Sequence, residues 1–388
     1  MNERDPTPIR PAATGMEAFD AFLQDGWALC AGPGPAPLVL QLCDFAPEEL
    51  IRAVGARSVR LFSGCHQSAE RASAEVPLDM CGAARAAVGE LRRLLDGGVR
   101  PELVIVAATC DAQRRLAQWL AARTEVFVLE PPFVRDDAGL DRWVWQIERL
   151  TQRLGRIAPL RRAGLRRAIE ERNRRVWLSR QLRDLQRREA PPLHGLEAIR
   201  VFQAGQRMDP DLWRKEVEAL LQARAGGGAR PPGRARLLLA GSPSAWPDLK
   251  VPELIAQSGA DLVADMTCAG GHPLSHPTVV DEDTLGGMVR AAAERTLLTC
   301  LCPIFSSLDE RKDRLARLVE DFRVDGVIHH TLRLCLPSDG EIAALSAWCR
   351  ERNLPFLSLR SDLGPEESGG LRNRLEAFLE LIHSGRGA

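Results

Sequence analysis

Short apolar runs alternate along this chain with longer amphipathic stretches, the pattern of α/β units built on parallel sheets. In the first part, strands are predicted at Ser58 to Phe62, Leu103 to Ala108 and Val126 to Leu129. Helices are expected between them, near Pro47 to Val54, Ala83 to Leu95 and Asp111 to Ala122. A second set follows Ala225 to Gly233 (AGGGARPPG), whose glycines and prolines mark a linker or exposed loop. Its strands are predicted at Arg236 to Ala240, Leu262 to Ala264, Val327 to His330 and Phe356 to Leu359. Between the sets the periodicity is helical from Leu140 to Arg188 and again from Asp211 to Arg224, where Asp209 is placed to cap and Pro210 to occupy the first turn. The expected organisation is α/β: an N-terminal domain over 20–137, a helical region and linker over 138–233, and a C-terminal domain over 234–388.

Two segments resemble each other. Glu49 to Ala56 reads ELIRAVGA and Glu253 to Ala260 reads ELIAQSGA, each a helix closed by Gly ahead of a β run. Matching helix–strand units suggest two domains of related topology. The middle region is rich in Arg (RRAGLRRAIEERNRR), with Leu165, Ile169, Val176 and Leu178 at helical spacing, which reads as an amphipathic helix with a solvated basic face.

At 388 residues the chain exceeds one compact core. Its 45% hydrophobic and 27% charged residues are those of a globular protein. Zero formal net charge gives no global field toward nucleic acid or an anionic membrane, so neither is expected as a partner. The segment Met1 to Gly15 lacks the apolar stretch of a secretory signal, and no apolar run approaches the roughly 18 residues of a membrane helix. The expected location is therefore the cytoplasm, where thiols stay reduced and ten Cys speak for metal, redox chemistry or burial over disulfides.

The cysteines stand at telling places. Cys110 follows LVIVAAT and precedes a helix; Cys335 lies just past GVIHHTLRL, with Pro337 and Ser338 opening a helix. Cys268 follows LVADMT, Cys302 follows LLTCL ahead of Pro303, and Cys43 and Cys81 lie just ahead of helices. Open α/β sheets bind ligands beyond the carboxyl ends of their strands, so these positions can converge on one crevice. Helix N-termini favour thiolate, the soft anionic ligand that iron–sulfur clusters need. No pair of CxxC knuckles points to zinc. Cys349, in SAWCRERN, reads as mid-helix core, while Cys30, Cys65 and Cys300 stay open, Cys65 being the replacement should Cys81 not serve.

Several motifs, in order, resemble the 2-hydroxyacyl-CoA dehydratase and benzoyl-CoA reductase superfamily. They are CDFAPEELIRAVGARSVRLF from Cys43, CGAARAAVGEL from Cys81, VIVAATCD, GSPSAWPDLKVPELIAQSGADLVAD, the CP at Cys302, VDGVIHHTLRLCLP, RNLPFLSLRSD and LRNRLEAFLELI. The resemblance implies two open, mainly parallel-sheet domains, Rossmann- or flavodoxin-like, facing a cleft that holds an oxygen-sensitive iron–sulfur cluster. It implies electrons from a separate activator ATPase carrying its own 4Fe-4S cluster, and this chain has no GxxxxGK[ST] loop. Dehydratases of this kind are heterodimers of paralogous subunits with three Cys each. A related branch is a homodimer with a double-cubane cluster on six Cys that reduces small molecules. Six Cys match the wider set, Cys43, Cys81, Cys110, Cys268, Cys302 and Cys335, and these are the expected metal and cofactor ligands. The chain departs from the family in AGGHP after Cys268, where an Arg is expected, and in Asn373, where Thr is common.

The functional expectation is an iron–sulfur reductase component at a double-cubane-type cluster. The alternatives are a dehydratase or benzoyl-CoA reductase subunit with a single 4Fe-4S cluster, and a non-catalytic scaffold or electron-transfer partner. No catalytic residue is assigned. Glu49, His66, His272 and His276 are the acid–base groups near candidate cysteines, each with a plain structural reading. Of the adjacent His329 and His330, one is expected to face inward and one outward.

Overall fold

The structure is a computed structural model that describes residues 15–31, 36–226 and 233–386. The elements of the first half are α1 (Glu17–Ala31), β1 (Leu38–Gln41), α2 (Glu48–Ala53), β2 (Arg57–Arg60), α3 (His66–Ala72), α4 (Gly82–Asp96), β3 (Leu103–Ala107), α5 (Asp111–Ala121) and β4 (Val126–Leu129). Four helices follow: α6 (Asp137–Leu154), α7 (Arg162–Arg187), α8 (Gly195–Gly205) and α9 (Pro210–Arg224). The second half comprises β5 (Arg236–Gly241), α10 (Lys250–Gln257), β6 (Asp261–Asp265), α11 (Leu285–Leu298), α12 (Asp309–Asp321), β7 (Gly326–Leu332), α13 (Leu336–Arg350), β8 (Phe356–Ser361) and α14 (Ser368–Arg386).

Each half is a four-stranded parallel sheet, ordered β2-β1-β3-β4 and β6-β5-β7-β8. The α/β expectation holds, and the two orders are the same order. The repeated octapeptides mark equivalent places: α2 and α10 both turn through a glycine with positive φ, Gly55 at 74° and Gly259 at 82°, into an edge strand. A side chain in that left-handed region costs about 1–2 kcal/mol, which glycine avoids.

The apolar runs lack polar alternation because helices cover both faces of each sheet. Leu38, Leu40, Val104 and Val106 point into one core, and Val39, Leu103, Ile105 and Ala107 into another. In the second sheet Leu237, Leu239 and Leu262 face one core while Leu238, Ala240 and Val263 face the opposite one. The same double cover explains why His329 and His330 are both buried, at 0% and 3% exposed. Alternation sends them to opposite sides, His329 to Glu341 on α13 at 3.0 Å and His330 to Ser361 on β8 at 2.8 Å, but neither side is solvent.

Three further points position the site. β1, which the pattern did not predict, is a four-residue strand fully buried between β2 and β3. The predicted cap at Asp209 is present, its side chain accepting from the amides of Asp211 and Leu212, with Pro210 in the first turn. Helix α11 leaves the second sheet and packs on the first half: Met288, Val289, Ala293 and Leu297 join the core around Trp143. The Trp143 indole N–H donates to the Ala293 carbonyl and the Thr296 hydroxyl, both at 3.1 Å. Most of the expected linker, residues 227–232, and the N-terminal 1–14 lie outside the described residues, as does the side chain of Cys30.

Candidate functional site

The strand order reverses direction between β1 and β3, and again between β5 and β7, and a crevice opens beyond strand ends at such a switch point. Cys43 follows β1, Cys268 follows β6, and Cys110 and Cys335 follow β3 and β7. Cys110 and Cys335 hold the same place in the two halves, each the N-cap of the helix after the third strand of its set. Cys81 is the N-cap of α4. Cys302 follows a helix, not a strand: it lies in the loop from α11 to α12, which the docking of α11 carries to the first half.

All six of these cysteines, and Cys300 with them, line one cleft. Its other walls include Ala83, Ala87, Met266 and Leu336, with Arg60 and His272 among the polar groups. The thiols fall into two sets. Cys81 and Cys110 have Cys335 as a charged neighbour when ionised. Cys43, Cys268, Cys300 and Cys302 are neighbours of one another, and Cys268 also feels Cys335, so the sets adjoin. Each set has members from both halves of the chain.

Helix N-termini do not decide the charge of these thiols. Burial pushes Cys43 and Cys81 up to about 12, with the amides of Phe45 and of Ala84 and Ala83 pulling the other way. Burial also raises Cys110 against the amides of Gln113 and Ala112, raises Cys268 against Arg60, and holds Cys302 well above the ordinary thiol value. For these five thiols desolvation outweighs the dipole, so they become anionic only against a cation that displaces their protons. Among the described residues, no three His, Cys, Asp or Glu side chains are gathered tightly enough to hold one metal ion.

The remaining candidates sit elsewhere. Cys65 caps α3 outside the cleft lining, and Cys349 is fully buried in the core under α13. His66 pairs with Glu70 at 3.2 Å on α3. Glu49 is 0% exposed and accepts from Arg295 at 3.1 and 2.9 Å and from the Thr278 hydroxyl at 2.8 Å. Burial opposes its ionisation, but Arg295 and Arg172 outweigh it and hold the carboxyl below the usual range, so Glu49 has no proton to give. Of the basic helix α7, Arg172 and Arg175 are 2% exposed and serve the interior: Arg172 donates to the carbonyls of His276 and Pro273, and Arg175 to Glu48 and Glu171. His272 is the one loop histidine on the cleft, its Nε2 accepting from the Leu301 amide at 3.4 Å.

The buried titrating groups fix a pH dependence of folding. Burial lowers His330 from 6.5 to about 3 and His276 to about 4. Unfolding would let both protonate at their ordinary value, so their contribution is complete above about pH 6.5 and is lost as pH drops toward 3, while buried Asp265, raised from 3.8 to about 6, acts the other way below pH 6 and offsets part of that loss. Glu48 is lowered from 4.5 to about 2, because Arg175, Arg52 and Arg172 overcome its burial, and its contribution is lost between those values. Urea midpoints measured from pH 8 to 4 are expected to stay level to about 6.5 and then decline; a level midpoint down to pH 5 would contradict this.

The 2-hydroxyglutaryl-CoA dehydratase, D-component family model matches residues 43–382. A similar curated protein is the "putative dehydratase subunit YjiM" of Escherichia coli, 27% identical over 358 residues, which covers 89% of this chain and 91% of that protein. No described helix is long and apolar enough to cross a membrane.

Proposed function

The chain belongs to the 2-hydroxyglutaryl-CoA dehydratase D-component family, and from that premise we propose that it is an iron–sulfur reductase component with a double-cubane-type cluster on Cys43, Cys81, Cys110, Cys268, Cys302 and Cys335. A separate activator ATPase with its own 4Fe-4S cluster delivers low-potential electrons, and a small molecule is reduced in the cleft. The working form is a homodimer in the reducing cytoplasm. What carries this reading is the gathering of six thiols on one cleft in two adjoining sets, each drawn from both halves. The donor chemistry fits: thiolates are the ligands of iron–sulfur clusters, and each binds a different iron, so the sulfurs need not share one ion.

When bound, the cluster supplies electrons at low potential to a substrate held against it. The protein's own residues do the rest. The six thiols give up their protons on binding iron. Ala84, Ala87 and Met266 wall the site with buried apolar surface, and Arg60 donates a hydrogen bond to a cysteine sulfur. Apolar walls of this kind limit water and tune a cluster's potential.

A second reading is a dehydratase subunit with one 4Fe-4S cluster in a heterodimer with a paralogous chain. The name of the Escherichia coli relative, a dehydratase subunit, supports it. The experiment that separates the two is iron and acid-labile sulfide per chain after purification without oxygen, with an EPR spectrum of the reduced protein. About eight irons per chain support the double cubane and about four the dehydratase subunit. No iron after anaerobic reconstitution sinks both and leaves a scaffold.

A further inference from the structure

Arg60 is the last residue of β2, and its side chain is 3% exposed. From the first sheet it reaches to the second half of the chain. Nη1 donates to the Cys268 carbonyl at 2.8 Å and to Gln206 Oε1 at 3.3 Å, and Nε to the Leu42 carbonyl at 3.5 Å. Nη2 donates to Cys268 Sγ at 3.6 Å. The guanidinium lies over the Phe62 ring, 5.4 Å from its centroid. Three oxygens therefore anchor the fork, and the remaining nitrogen aims an N–H at one sulfur of the cleft. The planar fork loses little freedom in doing so, which an ammonium on a flexible stem would not match.

We propose that Arg60 is a positioning residue that fixes Cys268 Sγ and, through its N–H···S bond and permanent charge, raises the reduction potential of the iron–sulfur group that Cys268 ligates. The inference rests on the cluster reading above. Adding an electron makes the ligand sulfur a better acceptor, so the hydrogen bond strengthens on reduction. A cation in a desolvated site likewise stabilises the more negative state, and hydrogen bonds to sulfur and net local charge are levers that set cluster potentials. Asp44, on the Cys43 side, offsets part of the charge. It leaves the directional bond to sulfur in place. Arg60 thereby makes the group easier to load with an electron.

The test is an EPR-monitored redox titration of anaerobically purified protein, with iron content and melting temperature measured first. For Arg60→Gln, the reduced-to-oxidised ratio at a fixed potential is expected to fall about tenfold, which is ~59 mV downward for a one-electron couple. Arg60→Lys, which keeps the charge and loses the fork, recovers part of that shift. Should Arg60→Gln not fold, Gln206→Ala removes one anchor of the guanidinium, leaves its charge, and moves the potential the same way by less. A merely structural Arg60 would lower iron content and melting temperature while the molecules that keep iron titrate as wild type; that result overturns the inference. Wild-type protein without iron removes the functional reading, and the inference falls with it. Wild-type protein with iron but unmoved variants removes the inference alone.

Discussion

Cys335→Ala, purified without oxygen, retains at most about a tenth of the wild-type iron and sulfide, because losing a ligand costs at least the 10–100-fold of losing a ligand's supporting partner. The same loss is expected for Cys81→Ala and Cys110→Ala in its set, and for Cys43→Ala, Cys268→Ala and Cys302→Ala in the other. Two controls make the result specific. Cys349 is fully buried away from the cleft and Cys65 lies outside its lining, so their alanine variants keep full iron. Cys300 is the discriminating case. It lines the cleft, and its sulfur accepts from the Cys302 amide at 3.4 Å. Full iron in Cys300→Ala supports the six-ligand assignment, whereas loss of iron there, with retention in Cys302→Ala, would transfer the role from one to the other.

The second large effect is on folding. Arg295→Ala should cost about 3–5 kcal/mol in urea unfolding at neutral pH, since it strands the carboxylate of Glu49 in the interior. Glu49 has no water to turn to: it is 0% exposed, and its remaining partners are Thr278 and the more distant Arg172 at 3.9 Å. Replacing both charges, with Glu49→Leu and Arg295→Met, is expected to recover most of the loss, because well-packed apolar side chains avoid the desolvation of an ion pair. A single-variant cost below about 1 kcal/mol would mean that the pair is not what seats α11 on the first half, since exposed pairs are worth no more than that.

What the sequence disclosed, and what it hid, divides by distance along the chain. The places of Cys81, Cys110 and Cys335 at helix starts follow from neighbours within a few residues, and the chain reads them correctly. The shared strand order is announced by two octapeptides, because a glycine-closed helix entering an edge strand is a local event. β1 escapes because four residues buried on both faces carry no period. The place of the loop bearing Cys300 and Cys302 is not legible in the sequence, since nothing near it shows that α11 leaves its own sheet to pack against Trp143. The role of Arg60 is not legible in the sequence, for the sulfur it approaches belongs to Cys268, far away along the chain. The preference for thiolate at helix ends is locally sound and is reversed by burial, a property of the assembled cleft.

That each thiol set takes members from both halves has a mechanical meaning. Anything that bridges Cys110 to Cys335, or Cys43 to Cys268, joins the sheets at a point the polypeptide does not, and closes a loop containing all four middle helices. Such a closure restricts the unfolded chain as a cross-link does, and the restriction grows with the length enclosed. A cluster bound as proposed would add that restriction to the contacts α11 already makes with the first half, and removing it would lower the stability of the chain without undoing those contacts.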